Sequence, residues 1–213
     1  MKQFSLFVMA GLALIGISAC ANRQTVQSTL VPPRVDLKQY ELIGVVDFKS
    51  TSEGKLGPLA TKSFTEWARR DQGPVRIVGL GSKAEALRSV GRDRLDRETF
   101  MALGREHGVS TILTGELKVS DIRPDIRILA SLRSGEVSAE VDATLAVELI
   151  EASTGASIWS ASASGTRSVG HISMLSGRNF AFDAHDPKAA YGGLVDALVE
   201  VATRDFRAAW VRQ

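Results

Sequence analysis

Over residues 141–150 the sequence VDATLAVELI sets Val141, Ala143, Leu145, Val147 and Leu149 at strict two-residue spacing, with Asp142, Thr144 and Glu148 between them. Successive side chains of an extended chain point to opposite sides, so this period marks a strand with one buried face and one wet face. Ala152-Ser153-Thr154-Gly155 follows, and its glycine supplies the positive φ that a tight reversal needs. Residues 156–165 are therefore expected to return as the antiparallel partner of a hairpin. On that return Ser160, Ser162 and Ser164 alternate with Trp159, Ala161 and Ala163, which makes the serines the wet row. An isolated hairpin is marginal in water, so the rest of the chain must supply a cover for its apolar face.

The preceding sequence supplies alternating strands and helices. YELIGVVDF at 40–48 reads as a buried strand that leaves through a polar loop. Pro58 opens a helix with Ala60, Phe64, Trp67 and Ala68 at helical spacing, closed by Gln72-Gly73-Pro74. A second strand is expected at 75–78. Ser82 caps a short helix through Ser89, and a further helix at about 96–106 puts Phe100 and Leu103 on one face before Gly108 stops it. STILTGELKV at 110–119 is a third strand. A closing helix over 187–210 would gather Leu194, Val195, Leu198, Val201, Ala202, Phe206 and Ala209 on a broad stripe. Strand–helix units, a hairpin and a final helix imply an α/β fold: one domain with a mixed β-sheet flanked by helices.

The N-terminus carries a different message. Lys2 is the only charge before Cys20, and residues 4–17 form an apolar run too short to span a bilayer as a ~20-residue helix, so residues 1–19 read as an export signal. The run ends in Ile17-Ser18-Ala19-Cys20, and this is the only cysteine of the chain. The four residues resemble the bacterial lipoprotein box, in which a cysteine preceded by small residues is acylated and becomes the mature N-terminus. The resemblance implies lipid attachment at Cys20. Ala21 follows it, where an aspartate would commonly hold such a protein at the inner membrane, so the expected address is the outer membrane, facing the periplasm. Residues 20–38 are polar, carry Pro32-Pro33 and lack a hydrophobic period, which marks a tether, with the α/β domain occupying 39–213.

Composition narrows the function classes. The formal net charge is +2 and drops to about +1 without Lys2, with no run of basic residues, which argues against nucleic acid. A lone cysteine rules out a disulfide-stabilised fold. Gly79-Leu80-Gly81-Ser82-Lys83-Ala84 has the G-x-G-x-x-A form of a dinucleotide loop, but it follows the second strand and opens a short helix, so a turn capped by Ser82 explains it. Asp183, His185 and Asp186 sit close in sequence without the converging ligands a metal site needs; His107 and His171 stand apart. Ser164-Gly165 lacks the flanking glycine of a nucleophile elbow. Arg69, Arg70, Arg92, Arg94 and Arg97 are interspersed with Asp71, Asp93, Asp96 and Glu98 and read as a solvated surface. The expectation is a non-enzymatic protein with no catalytic residue, metal, cofactor or small-molecule substrate.

Taken together, IGVVDF, VRIV, ALGREHGVSTILTGELKV, LAVELIEASTGASIWSASASG and the closing helix resemble the periplasmic lipoprotein group that includes the curli secretion channel and the activators of penicillin-binding proteins. The resemblance covers residues 40–210. It implies a non-enzymatic envelope factor or activator that binds a protein partner or self-assembles. Its alternative is a subunit of a ring-forming outer-membrane export channel related to curli secretion. In that channel two inserted hairpins build the membrane barrel, and the equivalent places here are 119–140 and 166–186. The first partly alternates, as Ile122, Ile126, Ile128, Ala130 and Leu132 do with their polar neighbours; the second offers no second clean strand.

Overall fold

The computed structural model describes residues 28–51, 56–125, 138–169, 172–175, 179–182 and 187–212. In chain order the elements are β1 (Ser28–Val31), β2 (Ile43–Val45), β3 (Lys49–Ser50), α1 (Leu56–Gln72), β4 (Ile77–Gly79), α2 (Lys83–Ser89), α3 (Arg97–His107), β5 (Thr111–Asp125), β6 (Ser138–Glu151), β7 (Ala156–Val169), β8 (Ile172–Leu175), β9 (Asn179–Phe182), α4 (Pro187–Ala202) and β10 (Ala209–Arg212). The main sheet has the order β4-β2-β5-β6-β7, with β3 also pairing to β5. Pairing is parallel from β4 through β2 to β5 and antiparallel through β6 to β7. It is the mixed sheet flanked by helices that the sequence implies. β1 and β10 pair as a two-stranded ribbon, separate from the main sheet.

Alternation along β6 decides how the helices cover the sheet. Val141, Ala143, Leu145, Val147 and Leu149 are all buried, and they pack with Phe64 of α1 and Val195, Leu198 and Val199 of α4 in the larger core. On the other side Ile112 and Ile150 join Val46, Leu80, Ala86, Phe100 and Leu103 in a smaller core beneath α2 and α3. That second cover is short. Beyond Ile150 the same side of β6 continues as Glu148, Ala146 and Thr144, none of them buried.

Capping fixes the two short helices. Ser82 and Glu85 form a reciprocal capping box on α2: the Glu85 N–H donates to Ser82 Oγ, and Glu85 Oε2 accepts from Ser82 N–H at 2.7 Å. These bonds hold the Glu85 carboxyl below its ordinary range. Asp96 caps α3 by accepting from Thr99 N–H at 3.0 Å and from the Thr99 hydroxyl at 2.8 Å. Those bonds, with help from Arg94, hold its carboxyl down at about 2. A depressed carboxyl stabilises the fold above its unfolded pKa, and that stabilisation is lost as pH falls through the folded value. The thermal midpoint of the wild type should therefore fall more than that of Asp96→Asn between pH 5 and pH 2, because asparagine caps without titrating. Parallel midpoint-against-pH curves for the two proteins would refute this.

Several expected elements are redrawn. The strand expected over 40–48 is ladder-paired only at β2 and again at β3, because Phe48 N–H donates to Thr61 Oγ1 of α1 at 2.7 Å instead of to a strand. The second strand runs Ile77–Gly79 rather than 75–78. β5, β6 and β7 extend well past the expected 110–119, 141–150 and 156–165. The closing helix does not reach 210: α4 ends at Ala202, the Thr203 hydroxyl donates back to Val199 O at 2.8 Å, and a 3-10 turn at Arg204–Phe206 follows. That turn drops Phe206 into the core, while Val201 is 44% exposed and Ala209 lies on β10. The stretch read as a tether contributes β1 and a buried Leu37, whose N–H donates to Gln72 Oε1 at 2.9 Å.

At the two places matched to the channel hairpins, the β5–β6 ladder continues to Asp125 and Ser138 past a bulge at Ser120/Ile122, and residues 126–137 lie outside the described ones. The second place does hold a hairpin, β8 paired antiparallel with β9, where no second clean strand was expected. Each of its strands has four residues, against the ~9 to 11 that crossing a bilayer requires. Among the described residues no helix is long and apolar enough to cross a membrane.

Candidate docking face

Where α2 and α3 stop, no described residue covers one side of the sheet over β5, β6 and β7. This face is built by alternation alone: Thr114, Glu116 and Lys118 from β5, Asp142, Thr144, Ala146 and Glu148 from β6, and Ser160, Ser162, Ser164 and Thr166 from β7. Together with Lys49, Lys83 and Leu95 its upper part forms an open groove of about 620 Å³ floored by the sheet. The three-strand register lines the hydroxyls up. Thr144 pairs with Ser164 and their oxygens lie 2.9 Å apart, while the Thr166 hydroxyl donates to the Asp142 carboxylate.

Charge on this face is partly spent internally. Lys49 Nζ donates to Glu116 Oε1 at 3.3 Å, and Lys118 lies 3.6 Å from the other oxygen. Exposed pairs of this kind contribute at most about 1 kcal/mol each. The side chains of Glu148, Lys83, Ser160 and Ser162 make no hydrogen bond or ion pair with any described residue, so they are free to bond water or a partner. A flat surface of hydroxyls with one spare carboxylate and one spare ammonium suits directional hydrogen bonding to another protein. The serine row was legible in the sequence as a wet face. The groove was not, because Lys49 comes from β3, Lys83 from the start of α2 and Leu95 from the loop before α3.

The remaining sequence candidates are dispersed. Cys20 lies outside the described residues, as do His171, Asp183, His185 and Asp186. Gly79 ends β4, and the loop after it is held as a turn: Gly81 has φ +77, its carbonyl accepts from Asp47 N–H at 2.9 Å, and the Ser82–Glu85 box occupies the start of α2. A carboxylate at that place opposes a phosphate. Burial and the nearby Glu85 charge both raise the Asp47 carboxyl above its ordinary value. His107 contacts the Ser89 hydroxyl at 3.1 Å. Arg92 pairs with Glu98 and Arg94 with Asp96, and Arg97 Nε donates to Thr154 O at 2.6 Å, so these three bind the chain to itself. Among the described residues no group of three acidic, histidine or cysteine side chains converges for a metal.

Sequence reading missed a second concavity, of about 500 Å³, between Tyr40, Met101, Arg105 and the turn after β6. At its edge the Thr111 hydroxyl is buried without a partner. No signal in the sequence joins Tyr40 to Met101, since they meet only through the order of the parallel strands.

No protein-family model and no curated protein sequence matches the chain. Among solved structures the chain is similar to the PelC dodecamer from Paraburkholderia phytofirmans, at 17% identity and TM-score 0.44 over 86% of this chain and 98% of that one. It is also similar to lipoprotein GNA1162 from Neisseria meningitidis, at 19% identity and TM-score 0.37 over 63% of this chain and 87% of that one. A third is the LpoB C-terminal domain from Escherichia coli, at 15% identity and TM-score 0.37 over 59% of this chain and 82% of that one.

Proposed function

We propose that this chain is an outer-membrane lipoprotein, acylated at Cys20 and facing the periplasm, whose α/β domain docks an envelope protein without turning over a substrate. The observation that carries this reading is the uncovered hydroxyl face of β5–β7, with Glu148 and Lys83 unpartnered on it. Helices cover the buried apolar side of β6, and among the described residues they leave the alternate, polar side of β5–β7 open, so the open side is a finished surface rather than a missing core. Lipid attachment supports the same reading from the sequence. A single acyl chain binds only reversibly, but several on one residue confine a domain to a thin layer and raise its effective concentration for partners in that layer.

A photo-crosslinking residue placed at Ser162 or Glu148 in intact cells should give one discrete adduct, and the same residue at exposed Glu66 on α1 should not. Cys20→Ser should abolish the acyl mass, move the protein from the envelope to the soluble fraction and reduce the Ser162 adduct at least tenfold. A Ser162 adduct no stronger than the Glu66 background would remove the docking face. An unchanged mass and distribution in Cys20→Ser would remove the anchor.

A further inference from the structure

The three tryptophans of the chain are used in different ways. Trp67 lies under the guanidinium groups of Arg70 at 3.4 Å and Arg207 at 4.6 Å. Trp159 stacks on Phe206 with centroids 4.7 Å apart and donates its indole N–H to Asp205 at 3.1 Å. Trp210 does neither. It is 69% exposed on β10, and its indole N–H meets no acceptor among the described residues. Val211, the next residue and so on the opposite side of the strand, is 48% exposed, and Leu30 on the paired strand β1 is 50% exposed, so the ribbon carries exposed apolar side chains on both of its sides.

From these observations we infer that the β1–β10 ribbon seats at the boundary between the headgroups and the acyl chains of the bilayer, with Trp210 as its interfacial anchor. The inference rests on acylation at Cys20. Ser28 follows Cys20 by eight residues, which reach at most about 28 Å when fully extended. The lipid therefore keeps β1 within about one leaflet-to-headgroup distance of the surface that would receive it. An indole with an apolar ring and an unpaired N–H is the side chain that gathers at membrane–water interfaces, where one part is dry and the other wet. A second copy of the chain is the weaker occupant: a stable dimer buries roughly 800 Å² on each partner, more than two four-residue strands provide.

The test uses the full chain, purified with its lipid and reconstituted into phosphatidylethanolamine–phosphatidylglycerol vesicles in which a fraction of the acyl chains is brominated. Bromine quenches only tryptophans within contact of the chains. The expected result is that total emission falls by about a third in the wild type and is unquenched in Trp210→Ser. Equal quenching of wild type and Trp210→Ser, or none in either, overturns the membrane seat. So does a lower sedimentation mass of Trp210→Ser in detergent, which assigns the ribbon to contact between copies. The intact mass of the same preparation separates the two claims: acylated but unquenched protein refutes the ribbon alone, and unacylated protein refutes the anchor and the ribbon with it.

Discussion

Gly57→Ala lowers the stability of this protein by about 3 kcal/mol, a loss expected against the rule for helices. Within a helix, alanine is ordinarily more stable than glycine by roughly 0.5–1 kcal/mol, because glycine loses more backbone freedom on folding. Gly57 is the second residue of α1, where a Cβ would be driven into the backbone carbonyl oxygen of Phe48. Neither side can give way cheaply. The Thr61 hydroxyl accepts from Phe48 N–H at 2.7 Å and donates to Gly57 O at 2.9 Å, stitching the helix start to the segment between β2 and β3. For a domain of this size the thermal midpoint should fall on the order of 10 °C. A midpoint that held steady or rose would show that propensity, not the close approach, governs this position.

The second large effect is at Phe64. Its side chain is fully buried on α1, with ring centroids 5.5 Å from Phe48 and 5.8 Å from Phe206, both edge-on, and Phe206 in turn meets Trp159. Four rings thereby join the β2–β3 segment, α1, the 3-10 turn after α4 and β7. Phe64→Ala removes the central ring and leaves a cavity its neighbours cannot fill together, so the loss should be about 4 kcal/mol. With a urea slope near 2 kcal/mol/M this is a fall of roughly 2 M in midpoint at unchanged slope. Phe64 lies on the α1–α4 side of the sheet, opposite the docking face. At low temperature, where the variant remains folded, the Ser162 adduct should persist. A midpoint shift below about 0.5 M would mean the four rings do not act as a unit.

Local chemistry explains which elements were legible beforehand. Ser82 and Asp96 signal α2 and α3 because a cap is a bond between residues three apart, and the structure places those helices at Lys83–Ser89 and Arg97–His107. Gly155 marks its turn because the backbone there has φ +64, and a side chain would also strike Arg97 at the start of α3. The break after Ala202 was hidden. Residues 203–209 continue a helical stripe on paper, yet burying Phe206 beside Phe64 and Trp159 is worth more than one further turn of helix. The pairing of β1 with β10 was hidden for a similar reason, since nothing local links residues 28–31 to 209–212.

By itself the sequence determined the places of α1, α2 and α3, the hairpin of β6 and β7, and the side of those two strands that must be dry. Each of these depends on neighbours within a few residues, where periodicity and capping act. Only the tertiary structure decided that α2 and α3 cover one end of the second sheet face and leave a polar groove beside it. It also decided that Gly57 must lack a side chain and that Trp210, alone among the tryptophans, finds no partner within the described residues. Those outcomes depend on which separate segments meet, and contacts between segments leave no period in the chain.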